Sequence, residues 1–176
     1  LTEGIDVPAQ HLLEIALRDL EATQEEFRRV ASQLGDDPVE VWADVKTRHP
    51  SADELTGVVN GQLEDLITFV RRKGLVTVPD HEPIKVAPTP QFYRWTFASM
   101  WSPGAFESKM LPAYYYITNV DANWSKERQE EHLRDFNYAT LPSISIHEVF
   151  PGQFLHFEHL RRLQAPLRKS TLLMPV

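Results

Sequence analysis

Apolar residues recur through the first fifth of the chain at helical spacing. Leu13, Leu17, Leu20, Phe27, Ala31 and Leu34 follow one another at steps of three, four or seven, which places them on one stripe of a long amphipathic helix. Asp6 stands where a capping residue would open that helix, and Gly35 where it would close. Asp37 and Pro38, with Glu40 in the first turn, predict a second, shorter helix running to about Arg48. Ser51 and Glu54 have capping-box spacing for a third, in which Leu55, Val59, Leu66, Phe69 and Val70 turn inward before Arg71, Arg72, Lys73 and Gly74 end it. Residues 1–74 read as a helical scaffold, and packing is its simplest role.

From Leu75 to about Val120 the period shortens. Prolines at 79, 83, 88, 90, 103 and 112 interrupt short stretches rich in Val, Ile, Thr, Tyr and Phe. The stretches QFYRWTFASM and AYYYITNV predict strands, and proline confines such strands to edges or ends. Tyr114, Tyr115 and Tyr116 must alternate between the two faces of their strand. Ser125 then caps a polar helix, SKERQEEHLRDFNYA, with Leu133 and Phe136 facing the core. Beyond Pro142 the chain is apolar on both sides of a His-Glu pair, as in a buried helix. The expected fold is mainly α with a small irregular β-sheet. Residues 75–176 hold the sheet and the candidate active-site helix, and the two parts together form one fragment of a larger domain.

Composition narrows the function classes. With 42% apolar and 24% charged residues the chain is ordinary for a globular protein, and its net charge of −7 leaves no source for phosphate neutralisation. No nucleic-acid partner is expected. No apolar run approaches the roughly 20 residues that cross a bilayer, so a soluble chain without a membrane role is expected; the first ten residues lack a signal-peptide pattern. The compartment of the parent is not legible. The absence of cysteine excludes disulfides, thiolate-bound zinc and a thiol nucleophile. Leu1 and the closing TLLMPV read as cuts in a longer polypeptide, and that apolar end could meet another copy.

The segment LPSISIHEVFPGQFLHFEHLRR, residues 141–162, carries the candidate chemistry. In the metal helix of zinc peptidases two histidines four apart lie roughly 40° apart around the axis, so both imidazoles reach one ion. Here the residue four after His147 is Pro151, which cannot ligate and breaks a regular helix. The next candidate, Gln153, would fall roughly 240° around an ideal helix, on the wrong side. Pro151-Gly152 supports a bulge or wide turn instead, and such an irregularity would bring position 153 back toward His147.

SISIHEVFPGQFLHF resembles the signature of the bacterial domain of unknown function family 885, whose members carry His-Glu-x-x-Pro-Gly-His and are regarded as zinc metallopeptidases of the gluzincin type. WSPGAFES, YYYITNVDANW and KERQEEHLRDFNYATLPSISIHE resemble further family blocks in the same order. The resemblance implies a partial gluzincin-type helical fold, His147 as first zinc ligand, Glu148 as general base, Gln153 in the second-histidine position, and a peptide substrate for the parent enzyme. Two departures follow. A glutamine amide is a weaker zinc donor than imidazole, and the family's third, carboxylate ligand, from a later Gly-Trp-Ala-containing segment, has no match after Gln153. Zinc is expected in the parent, and little binding or activity in this chain. The alternative is a non-catalytic helical interaction domain that has lost its metal.

Other residues have plainer readings. Glu158, five beyond Gln153, reads as surface charge. His156 and His159 share a helix face and, with Arg161 and Arg162, predict a solvated positive helix end. His11, His49, His81 and His132 sit in polar company. Ser143 and Ser145 near His147 form no triad, and no Gly-rich phosphate loop is present.

Overall fold

The structure, a computed structural model, describes residues 7–170. The proposed Asp6 cap and the TLLMPV end lie outside those residues. The described chain is mainly α with one small mixed sheet, as its pattern predicts. It forms two compact units that divide between Thr47 and Arg48.

The first unit holds α1 (Ala9–Ala31) and α2 (Pro38–Lys46), which pack together. Asp37 caps α2 as expected, its carboxylate accepting from the Val39 N–H at 2.8 Å. The apolar stripe of α1 behaves differently from its pattern: Ala31 is buried, but Leu13, Leu17, Leu20, Phe27 and Leu34 are exposed. α1 has 23 residues, about 35 Å, and α2 has nine, about 14 Å, so within this unit α2 is too short to cover the whole stripe.

The second unit starts with α3 (Leu55–Lys73), which packs with the sheet and α5. The predicted Ser51–Glu54 pairing is present, the Glu54 carboxylate accepting from the Ser51 N–H at 3.1 Å and its hydroxyl at 2.7 Å. Gly74 closes α3 at φ 60°, the left-handed conformation glycine adopts without strain. Leu55, Val59, Leu63 and Val70 form its buried stripe. Phe69, expected inward, is exposed, and Leu63 takes up the packing.

Three strands follow: β1 (Lys85–Pro88), β2 (Ala98–Trp101) and β3 (Tyr114–Ile117), in the order β1-β3-β2. β1 runs parallel to β3, β2 antiparallel. β3 falls within its predicted stretch and β2 overlaps the end of the other, running one residue past it to Trp101, whereas Gln91–Tyr93 forms a single 3-10 turn and β1 had no clear alternation to announce it. Pro88 ends an edge strand, where a missing N–H costs least. The tyrosines alternate as required: Tyr115 and Ile117 are buried, while Tyr114 and Tyr116 stack at 5.6 Å on the other face.

α4 (Lys126–Asp135) starts at Ser125, whose hydroxyl accepts from the Arg128 N–H at 3.3 Å, and it buries Leu133 with Phe136 just past its end. The buried Asn137 then bridges to α5 (Thr140–Glu148), its amide oxygen accepting from the Ala139 and Thr140 N–H groups. Pro142 lies in the first turn of α5, where no intrahelical donor is lost. α6 (Gln153–Arg162) and α7 (Pro166–Lys169) complete the unit. The core joins α3, the inner sheet face and the α5–α6 region through Leu55, Tyr115, Ile117, Phe136, Phe150 and Phe154.

Candidate functional site

The His-Glu segment is broken where the sequence requires. α5 stops at Glu148 and α6 begins at Gln153. Ser145 O accepts from both Val149 N at 2.9 Å and Phe150 N at 3.3 Å, the second bond spanning five residues, and Leu155 N reaches back six residues to Val149 O. The Phe150–Pro151 peptide bond is cis. Gly152 lies directly on the end of α5: a Cβ there would sit 1.8 Å from the His147 carbonyl oxygen. No side chain fits, so the close approach that starts α6 requires glycine.

That approach brings the predicted residues together. The Gln153 side-chain nitrogen lies 3.1 Å from His147 Nε2, although the two are six residues apart. Amide oxygen and nitrogen exchange by a simple flip, so the same geometry presents Gln153 Oε1. Glu148 Oε1 is 4.0 Å from the same His147 nitrogen. The imidazole is 71% exposed and open to a ligand, while the Glu148 carboxylate is largely covered. Burial pushes the Glu148 carboxyl above the usual carboxylate range, against the opposing pull of His147 and of the Met100 backbone N–H. Beneath it, the Tyr115 hydroxyl lies 3.3 Å from Ser145 Oγ.

β2 supplies what the sequence did not show. Thr118 N donates to Phe97 O at 3.0 Å, and Ala98 is paired with Ile117. By the alternation of an antiparallel ladder, Ala98 and Met100 therefore turn their backbone groups away from β3, toward the free edge. The Met100 N–H faces Glu148. Phe97, Ala98, Ser143 and Ile144 join His147 and Glu148 around a cleft of about 360 Å³. A wider depression of about 790 Å³, bounded by Gly104–Glu107, Phe157 and Lys169, shares none of these residues and carries no comparable set of reactive groups.

Among the described residues no three His, Asp, Glu or Cys side chains converge as a metal set. Glu158, expected at the surface, is 2% exposed, and its carboxylate accepts from Arg161 Nη1 at 2.9 Å and Arg162 Nη1 at 3.0 Å. Of the two arginines, Arg161 is largely covered, whereas Arg162 keeps the solvent exposure expected of the helix end. Arg161 also donates to the Lys109 carbonyl and Arg162 to the Asp80 carbonyl, so the cluster ties two loops to α6. Burial of the α6 face explains the difference, because an acid there requires paired cations. His159 is bonded to the Thr77 carbonyl at 2.8 Å and His156 lies beside Phe157, so they share no ligand set. His81 and His132 keep polar and aromatic company together: His81 Nδ1 lies 2.8 Å from the Glu82 carbonyl and its ring packs on Phe150 and Phe154, while His132 Nε2 lies 2.6 Å from the Thr118 carbonyl and its ring packs on Phe97, Trp124 and Phe136.

The chain belongs to the family described as "Bacterial protein of unknown function (DUF885)", which matches residues 1–174. It is similar in fold to a solved structure from Shewanella oneidensis described as a "putative lipoprotein of unknown function", with a TM-score of 0.75 and 26% sequence identity. The similarity covers 93% of this chain and 31% of that one, so the chain spans about a third of that protein's length. No curated protein matches the sequence. Among the described residues no helix is long and apolar enough to cross a membrane.

Proposed function

We propose that this chain carries the first part of a zinc-dependent peptidase site, with His147 as a metal ligand, Glu148 as the general base and Gln153 at the position of a second ligand. The observation that supports it most is the 3.1 Å approach of the Gln153 side chain to His147 Nε2 across a broken helix. Ligand atoms on one tetrahedral zinc at bond lengths of about 2.0–2.1 Å stand about 3.3 Å apart, so two corners fit. Among the described residues the remaining protein corner is missing. The donor set accordingly fits weak metal retention, with a stable site depending on a carboxylate from elsewhere in a longer polypeptide.

Zinc, when bound, would supply Lewis acidity at a substrate carbonyl. The protein's own residues supply the rest. Glu148, largely covered and raised toward its neutral form, is suited to take a proton from a water on its carboxylate oxygen and to return it to a leaving amine. The edge of β2 can pair with an extended peptide backbone through Ala98.

Calorimetric titration with zinc tests the metal reading. Weak one-to-one binding is expected, abolished in His147→Ala and tightened at least tenfold in Gln153→His because imidazole is the better zinc donor. Tight binding that survives His147→Ala would defeat the assignment. The incomplete donor set also favours a second reading, a family member that keeps the fold as an interaction domain without metal. No zinc binding in either the native chain or Gln153→His would select it.

A further inference from the structure

The cleft beside His147 and Glu148 has a chemistry of its own. Three of its walls, Phe97, Ala98 and Ile144, are apolar, and its polar groups, Ser143, His147 and Glu148, all come from α5. Its volume of about 360 Å³ is near the lower end of the range for ligand pockets, room for one or two side chains rather than a whole cofactor. Phe97 is held in place: its ring lies flat on the fully buried Phe136, with centroids 3.9 Å apart and planes 4° from parallel. The wall is thus formed before any ligand arrives.

The geometry points to this cleft as a subsite for one apolar side chain of an extended peptide, immediately beside Glu148. The backbone of β2 directs the peptide there. Ala98 turns its N–H and C=O to the free edge and can exchange two hydrogen bonds with a residue of an added strand. Two residues on, the Met100 N–H is already directed to Glu148, so pairing stops beside the candidate base. The side chain of the residue paired with Ala98 shares the face of Ala98, Tyr115 and Ile117, and so enters the cleft against Ile144 and Phe97. The Glu148 carboxylate on the rim opposes an acidic side chain at that position, through like charge close to a covered group. The substrate class is therefore a peptide with an apolar, non-acidic residue next to the bond facing Glu148. This specificity rests on the peptidase reading for its purpose, but the binding it describes needs no metal.

The test uses blocked tetrapeptides, acetyl-Ala-X-Ala-Ala-amide with X as Leu, Phe, Gly or Asp, titrated into the whole chain with chelator present and followed by amide NMR shifts. Leu and Phe peptides should bind roughly tenfold or more tightly than Gly, with Asp weakest, and the shifts should centre on Ala98 and Ile144. Narrowing the cleft with Ala98→Val should reduce Phe binding more than Leu binding, and Ile144→Ala should reverse that bias; thermal melts check that each variant is folded. Equal affinities for Leu and Asp, no saturable shift at Ala98 and Ile144 at millimolar peptide, or an unchanged preference in both folded variants would overturn the subsite. A parallel zinc titration keeps the two ideas apart. Apolar preference without zinc binding retains the subsite and removes the metal, whereas zinc binding at His147 without the preference removes the subsite alone.

Discussion

At the scale of single residues, Gly152 does most to make the site. Its missing side chain lets the start of α6 close on the His147 carbonyl, and that closure places Gln153 beside the imidazole. Gly152→Ala should destabilise the protein by about 3 kcal/mol in urea unfolding, because the added methyl meets backbone that no rotamer change can move. The same variant should also lose whatever zinc binding the native chain has. Tyr115 offers a second check. Burial raises its phenol well above the ordinary value, with Ser145 opposing and the Glu148 charge adding to the rise. A folded-state value above the unfolded one means stability is intact below the ordinary phenol range and is lost as pH climbs through it toward the folded value. In an absorbance titration one of the five tyrosines should ionise last, together with unfolding, and Tyr115→Phe should remove that lagging step.

At the scale of elements, α6 is anchored by charge as well as by apolar packing. Glu158 is nearly fully buried between Arg161 and Arg162, and those side chains hold the backbone at Asp80 and Lys109. Glu158→Ala leaves Arg161 covered and without its carboxylate, a loss of about 3 kcal/mol or more in a denaturant titration. The Glu26–Arg29 pair of α1 has similar distances but both side chains in solvent, so Glu26→Ala should leave the unfolding midpoint unchanged. Sequence could not separate these pairs. Both show an acid three residues before an arginine, and only the burial of the helix face distinguishes them.

At the scale of the whole molecule, the two units differ in how their apolar surface is used. In the second, the stripe of α3, the inner face of the sheet and the α5–α6 break converge on one core. In the first, α1 buries Ala31 and leaves its leucines exposed. Local opening costs little where few apolar contacts must be lost, so amide hydrogen exchange should be orders of magnitude faster in α1 than in α3 and α5. Equal protection in all three would contradict the burial pattern.

Short-range signals were legible without coordinates. The helix starts at Pro38 and near Ser51, the stop at Gly74, the alternation of Tyr114 to Tyr116, the Ser125 cap and the broken helix at Pro151-Gly152 all depend on backbone sterics and hydrogen bonds within a few residues. The meeting of His147 with Gln153 belongs to the same class, because Pro151 and Gly152 lie between them. Tertiary structure decided the rest. Bringing the edge of β2 to Glu148, burying Glu158 and leaving the α1 stripe uncovered depend on which surfaces meet across the chain, and a hydrophobic pattern states that a face is apolar without stating what covers it.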